Sequence, residues 1–339
     1  MSRAIWKKLV SDPSIQRSSQ TLSVVGNNAY IYGGELRPRE PVDSSVYRVS
    51  LNNDNPVSNS ITPLTIVNPE SHPQPRVGTA STTLTGKIYL FSGRGGPSMS
   101  PLEESGSFWV FDTSLTTWTQ LPPSTSSAPY PAGRSYHALT SNGTDTIYLH
   151  AGCPASGRLR DLWAFNINTR TWTELTPAPG PERGGTSITF SSGKIYRMNG
   201  FDGQREQGGS LDIFDVEKGE WGVISYPADG DSGPEARSVA ALLSLRVNGR
   251  ESLVTLFGER DPSSLGHQGA GKMLGDVWVF DIEDGRWREV KIGGEDRPEP
   301  RGWFDADVLV DGERSAIVVH GGLAESNERL GDVWLLDFE

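Results

Sequence analysis

The chain reads as an all-β, six-bladed β-propeller with four antiparallel strands per blade, closed by its N-terminal strand completing the last blade. The first observation is a recurring Trp-led strand: Trp118-Thr119-Gln120-Leu121, Trp172-Thr173-Glu174-Leu175, Trp221-Gly222-Val223-Ile224 and Trp287-Arg288-Glu289-Val290 each follow a strand ending in Asp or Asn and a short turn. The second is that a fifth block reaches Asp332-Val333-Trp334-Leu335-Leu336-Asp337 and runs out of sequence at Glu339, while Trp6-Lys7-Lys8-Leu9 has the Trp-x-x-Leu form at the other end. A circular array in which residues 1–10 form the outer strand of the last unit accounts for both ends.

The third observation gives the blade number. A hydrophobic strand meets a glycine pair or its remnant at Tyr30–Gly34, Tyr89–Gly93, Tyr148–Gly152, Tyr196–Gly200, Val254–Gly258 and Val318–Gly322. Upstream of each stands an Arg that opens a strand: Arg17, Arg76, Arg134, Arg183, Arg237 and Arg301. Downstream comes an aromatic strand such as Phe108–Asp112 or Val277–Asp281. The spacing, about 50 to 60 residues, is that of kelch blades rather than of the shorter WD40 unit. The recurrence of the Arg in all six repeats marks it as scaffold, an inter-blade hydrogen bonder.

Composition agrees. With 39 Gly and 23 Pro, short strands between turn residues are favoured over long helices. The expectation is one domain over 1–339, with 52–75, 122–133, 225–236 and 291–300 as Pro-, Ser- and Asp-rich surface loops. No apolar run approaches the roughly 20 residues of a membrane span, and the first residues carry no apolar signal core. The single cysteine, Cys153, suits a reducing compartment, so the expectation is a cytoplasmic monomer. A net charge of −11 argues against nucleic acid or anionic membrane as partner.

Several loops resemble one kelch branch, the plant specifier proteins (nitrile-specifier, epithiospecifier and thiocyanate-forming types) and their plant and fungal relatives. The matching residues are Gly33-Gly34-Glu35 with Pro38, Pro41 and Asp43; Arg94; Gly157-Arg158-Leu159 before Asp161-Leu162-Trp163; Arg301-Gly302-Trp303; Ser326–Leu330; and above all the fifth-blade loop Gly258–Gly271. The family's iron site is Glu-x-x-x-Asp-x-x-x-His in that loop. Glu259 and His267 keep its first and last positions, whereas Ser263 stands in the middle and Asp261 lies two residues early. The resemblance thus implies a metal site on Glu259, Asp261 and His267 for Fe(II) or another divalent metal such as manganese, a set of two oxygens and one nitrogen. The residues alone read equally as an Asp-Pro turn with a structural His and a Glu paired to a neighbouring Arg.

By the same resemblance Arg94 and Arg158 hold an ionised substrate, as guanidinium forks do for oxyanions. Glu35 joins them on the rim where the second-to-third-strand links open. Trp303, Tyr136 and Phe201 are candidates for the pocket wall or for ordinary packing, and His137, His150 and His320 for structure. A galactose-oxidase-type copper centre, a serine-hydrolase elbow, a zinc site and a nucleotide loop lack their residues. Two functions stand. One is a lyase or isomerase of secondary metabolism, in which Glu259, Asp261 and His267 promote a non-redox elimination or rearrangement of an anionic or sulfur-containing small molecule in the central funnel. The other is a protein–protein interaction module using the same face.

Overall fold

The computed structural model describes residues 3–51, 60–312 and 314–339, with the backbone but not the side chain of His267. Among them lie six sheets of meandering antiparallel strands. The second is typical: Ala80–Leu84, Lys87–Phe91, Phe108–Asp112 and Thr117–Leu121, from the innermost strand outward. The sixth takes Asp305–Asp311, Arg314–His320 and Asp332–Phe338 from the end of the chain, and its fourth strand, Arg3–Ser11, from the beginning. There Trp6 is opposite Leu336 and Lys8 opposite Trp334. Trp6 is buried between blades, stacked on Phe257 at 5.6 Å and edge-on to Trp334 at 6.4 Å.

Two segments expected as loops contain strands. Ile61–Pro63 is the outer strand of the first blade; it carries no Trp, and its Pro63 suits an edge that donates no further hydrogen bond. Lys291–Gly293 runs parallel to Arg3–Ile5 on the outer edge of the sixth sheet. Residues 52–59, part of the same expected loop, lie outside the described residues.

Closure is visible in the packing. Six apolar clusters each sit between two neighbouring sheets, including one that joins Leu309, Val318 and Leu335 of the sixth to Leu22, Ile31 and Val49 of the first. The interior is therefore a circle of side-chain layers between sheets, each burying the alternate faces of its strands.

The six strand-opening arginines are buried, and each donates from Nη1 to a carbonyl where its own blade's second strand meets the glycine site: Gly33, Ser92, Ala151, Asn199, Phe257 and Gly321 in turn. The guanidinium thus braces its own blade. The link between blades is made by the main chain, since the carbonyls of Arg134, Arg183, Arg237, Arg301 and Arg17 accept from Gly93, Gly152, Gly200, Gly258 and Gly322 of the preceding blade. Carboxylates neutralise four of them: Glu104, Asp161, Asp276 and Asp332 pair with Arg76, Arg134, Arg237 and Arg301. In the fourth blade the acid is diverted, Asp212 pairing with Arg197. Burial, aided by the nearby Arg197 charge, then pulls the Arg183 guanidinium down to about 9.

Two residues after each of these arginines the chain enters the left-handed region: Ser19, Gly78, Tyr136, Gly185, Val239 and Trp303 have φ between 46° and 61°. Their peptides form a closed ring. Each N–H donates to the carbonyl of the equivalent residue one blade back, from Gly78 to Ser19 (2.9 Å) around to Trp303 with Val239 (3.2 Å) and Ser19 with Trp303 (2.7 Å). Below this ring the inner strands enclose a channel of about 640 Å³. Several of its hydroxyls stitch neighbouring blades together, for example Ser23 with Ser81 (2.9 Å) and Ser141 with the Thr83 carbonyl (2.9 Å). At the seam between last and first blades the stitches are carboxylates: Asp305 accepts from Leu22 N–H (2.6 Å) and Asp307 from Val24 N–H (2.7 Å).

Candidate functional site

Above the ring a second cavity of about 410 Å³ opens on the rim. Glu35, Arg94, Tyr136, Arg158, Phe201, Glu259 and Trp303 all line it. Tyr136 and Trp303 belong to the ring and border both cavities, their rings 5.1 Å apart and nearly perpendicular. They are the floor that separates funnel from channel, not its wall. Burial raises the Tyr136 phenol well above its ordinary value.

The two rim arginines have different situations. Arg94 is committed to the protein: Nε donates to Ser135 Oγ (2.8 Å), Nη1 to Met99 O (3.2 Å) and Nη2 to Pro154 O (2.9 Å). It ties three rim segments together and contributes its charge through them. Arg158 makes no hydrogen bond or ion pair among the described residues, and its Nε is buried without a partner. Its guanidinium lies over the Phe201 ring, 5.1 Å from the centroid, a cation–π contact that leaves the N–H edge free. Gly203 makes room for it, since a Cβ there would stand 2.6 Å from Arg158 Nη1.

Three carboxylates face these cations. Glu35 accepts from the Arg39 N–H (2.7 Å) and pairs at 3.5 Å with Arg329; burial raises its carboxyl, against the pull of those partners. Glu259 is buried, and its Oε1 accepts from Gly271 N–H (2.7 Å). Burial raises it too, while the Gly271 N–H and the Trp303 indole act the other way. Glu206, which the sequence reading did not single out, is raised by burial and by the charges of Glu259, Asp261 and Asp202. Its signal was present, an ionisable residue in the loop after the fourth glycine site, on the same rim as Arg94 and Arg158.

Asp261 departs from expectation. It does not line the cavity; its side chain is 77% exposed, 3.8 Å from Arg260 Nε. A backbone φ of 50° at Asp261 turns the loop there, so a carboxylate two residues early faces solvent. Ser263 Oγ, at the middle position, accepts from Leu265 N–H (3.2 Å). His267 lies in a short 3-10 turn, Gly266–Gln268, and its side chain is outside the described residues. Among the described residues no group of three His, Cys, Asp or Glu side chains converges on a common point. Of the three expected donors, Glu259 lines the cavity and Asp261 does not.

The model for the KLHDC2/KLHL20/DRC7 kelch-repeats domain matches residues 19–258. The chain belongs to this kelch-repeat family. It is 26% identical over 343 residues to the N-(sulfonatooxy)prop-2-enimidothioate sulfolyase of Thlaspi arvense, covering 94% of this chain and 91% of that one. This kelch protein therefore resembles the plant specifier proteins. It is also 26% identical over 290 residues to an F-box/kelch-repeat protein of Arabidopsis thaliana and 21% identical over 280 residues to leucine-zipper-like transcriptional regulator 1 of Pongo abelii. It spans 55% and 30% of the lengths of those two. The solved structure of YjhT superposes with a TM-score of 0.70 at 14% identity, covering 97% of this chain and 99% of that one, a likeness of fold. No helix among the described residues is long and apolar enough to cross a membrane.

Proposed function

We propose that this kelch propeller acts on a small anionic or sulfur-containing molecule in the rim cavity, promoting a non-redox elimination or rearrangement. The observation that carries the reading is Arg158, an unpaired guanidinium on an aromatic platform inside a cavity with a closed floor. Arg158 is half-buried with its Nε shut away from solvent and unpartnered, and a bound anion would take up its free donors through charge-assisted hydrogen bonds. The relative named as a sulfolyase, alike over nearly the whole chain, supports the same class.

In such a step Arg158 holds the anionic group and Arg94 adds field from behind. In the elimination Glu259 takes a proton from the substrate, the electron pair of that broken bond forms the new multiple bond, and the bond to the departing group breaks with its electron pair leaving on the anion that Arg158 holds. Burial raises this carboxyl above its ordinary value, which strengthens it as a base. No oxidant or reductant is consumed. The rigid blades hold these groups in place before the ligand arrives.

The test is turnover of sulfated thiohydroximates and related sulfur anions by purified protein. Arg158→Met and Glu259→Gln are expected to lose activity at least tenfold with melting temperatures nearly unchanged. A second reading, a protein-binding face, is favoured by Leu36, near the end of the strand Asn28–Arg37, and Leu265, 49% and 69% exposed on segments that border the cavity. Loss of a protein partner on Leu36→Ser or Leu265→Ser, with both cavity variants fully competent, would decide for it.

A further inference from the structure

The hairpin that carries Phe201 also carries Glu206, and the two are bridged antiparallel partners. Their side chains therefore rise from the same face of the hairpin, the face on which Arg158 lies. Glu206 lines the cavity with Arg158 and Phe201. Its Oε1 is buried with no hydrogen-bond partner among the described residues, although Arg158 is itself unpaired nearby. A buried carboxylate oxygen left open costs free energy until something donates to it. The other nearby acids are occupied or turned away: Glu259 Oε1 is taken by Gly271 N–H, Asp202 by the N–H groups of Gln204 and Arg205, and Asp261 faces solvent.

We propose that Glu206 is the specificity-determining partner of Arg158, and that the cavity selects zwitterions: small molecules whose anionic group lies on Arg158 and whose protonated nitrogen donates to Glu206. The inference rests on the anion-binding reading above and adds the second pole. A plain anion satisfies Arg158 but leaves Glu206 open and meets the negative field of Glu206 and Glu259. A zwitterion satisfies both ends of the hairpin at once. The small hairpin turn at Gly203 lets the guanidinium lie close above it, so both poles border the same cavity.

The experiment compares taurine with 1-propanesulfonate, which replaces the ammonium by a methyl group, in calorimetric titrations of the full chain. One charged hydrogen bond is worth about tenfold in affinity, so taurine is expected to bind about tenfold or more tightly. Glu206→Gln should erase that preference by weakening taurine alone, and Glu206→Asp should reduce it; either suffices if the other does not fold by melting curve. Arg158→Met should weaken both probes. Equal binding of both probes by the native protein, or equal loss of both in the Glu206 variants, overturns the role of Glu206 while the Arg158 dependence keeps the anion cavity. Absence of binding by either probe, or binding untouched by Arg158→Met, overturns the anion cavity and this inference with it.

Discussion

The Tyr136 ring stands edge-on to the Trp303 indole, 84° between planes, directly on the peptide ring that divides the molecule. Two residues from opposite parts of the sequence thus close one aperture. Their backbone φ values, 52° and 58°, are strained for bulky residues, and the ring of inter-blade hydrogen bonds holds them there.

Packing on that ring is tight enough to test by single atoms. A Cβ at Gly78 would come 2.7 Å from the Tyr136 ring, and one at Gly185 would come 2.9 Å from Val239 Cγ1. Gly78→Ala and Gly185→Ala should each cost about 2–4 kcal/mol, combining overpacking with the left-handed conformation. Gly86→Ala, at φ 75° with nothing within 4 Å, should cost only about 1 kcal/mol in chemical denaturation.

Removing residues 1–10 should abolish cooperative soluble folding, because it bares the edge of Asp332–Phe338. Trp6→Ala is the milder probe. It deletes the stack on Phe257 and should lower stability by about 3–5 kcal/mol in urea titrations.

The strand-opening arginines should differ in their worth. Arg301→Met orphans the buried Asp332 carboxylate, which leaves an uncompensated charge and should cost about 3–5 kcal/mol. Arg183→Met orphans no acid, because Asp212 is held by Arg197, and its thermal destabilisation should be clearly smaller.

Stability should fall as pH rises from about 4 to about 7. Asp305 and Asp307 border the channel, where water reaches them in part, yet desolvation pushes them up to about 7 and about 6. A carboxyl raised above its unfolded value keeps a proton that the unfolded chain has released, so its stabilising contribution is whole below about pH 4 and is lost as pH climbs through the folded value. Glu35, Glu206 and Glu259 add the same sign. Melting curves of Asp305→Asn/Asp307→Asn should show a shallower decline across this window; an unchanged slope would count against the seam as its source.

The repeat was legible because its markers are chemical necessities. Trp6 announced the closing strand, and the Arg series announced the blade starts. Ile61–Pro63 was missed since the first blade's outer strand has no Trp, and Lys291–Gly293 because a three-residue parallel strand has no periodicity to read. At the site, Arg158 stood out by breaking the repeat. Asp261 misled because loop spacing does not report the backbone turn that aims its carboxylate outward. Nor does sequence report that Arg94's donors are spent within the protein, or that Tyr136 and Trp303 meet across the axis; those follow from three-dimensional closure alone.

The peptide ring has a further electrostatic consequence. Its six N–H···O=C bonds run head to tail in one rotational sense, so their dipoles point along the circumference and cancel in pairs across the axis. Unlike a helix terminus, which aims a partial charge at whatever lies beyond it, this floor is electrically silent along the axis. A molecule resting on it would feel the side chains rather than the peptides of the floor, and exchanging the few charged residues of the rim would shift the preferred charge of the ligand without touching the frame.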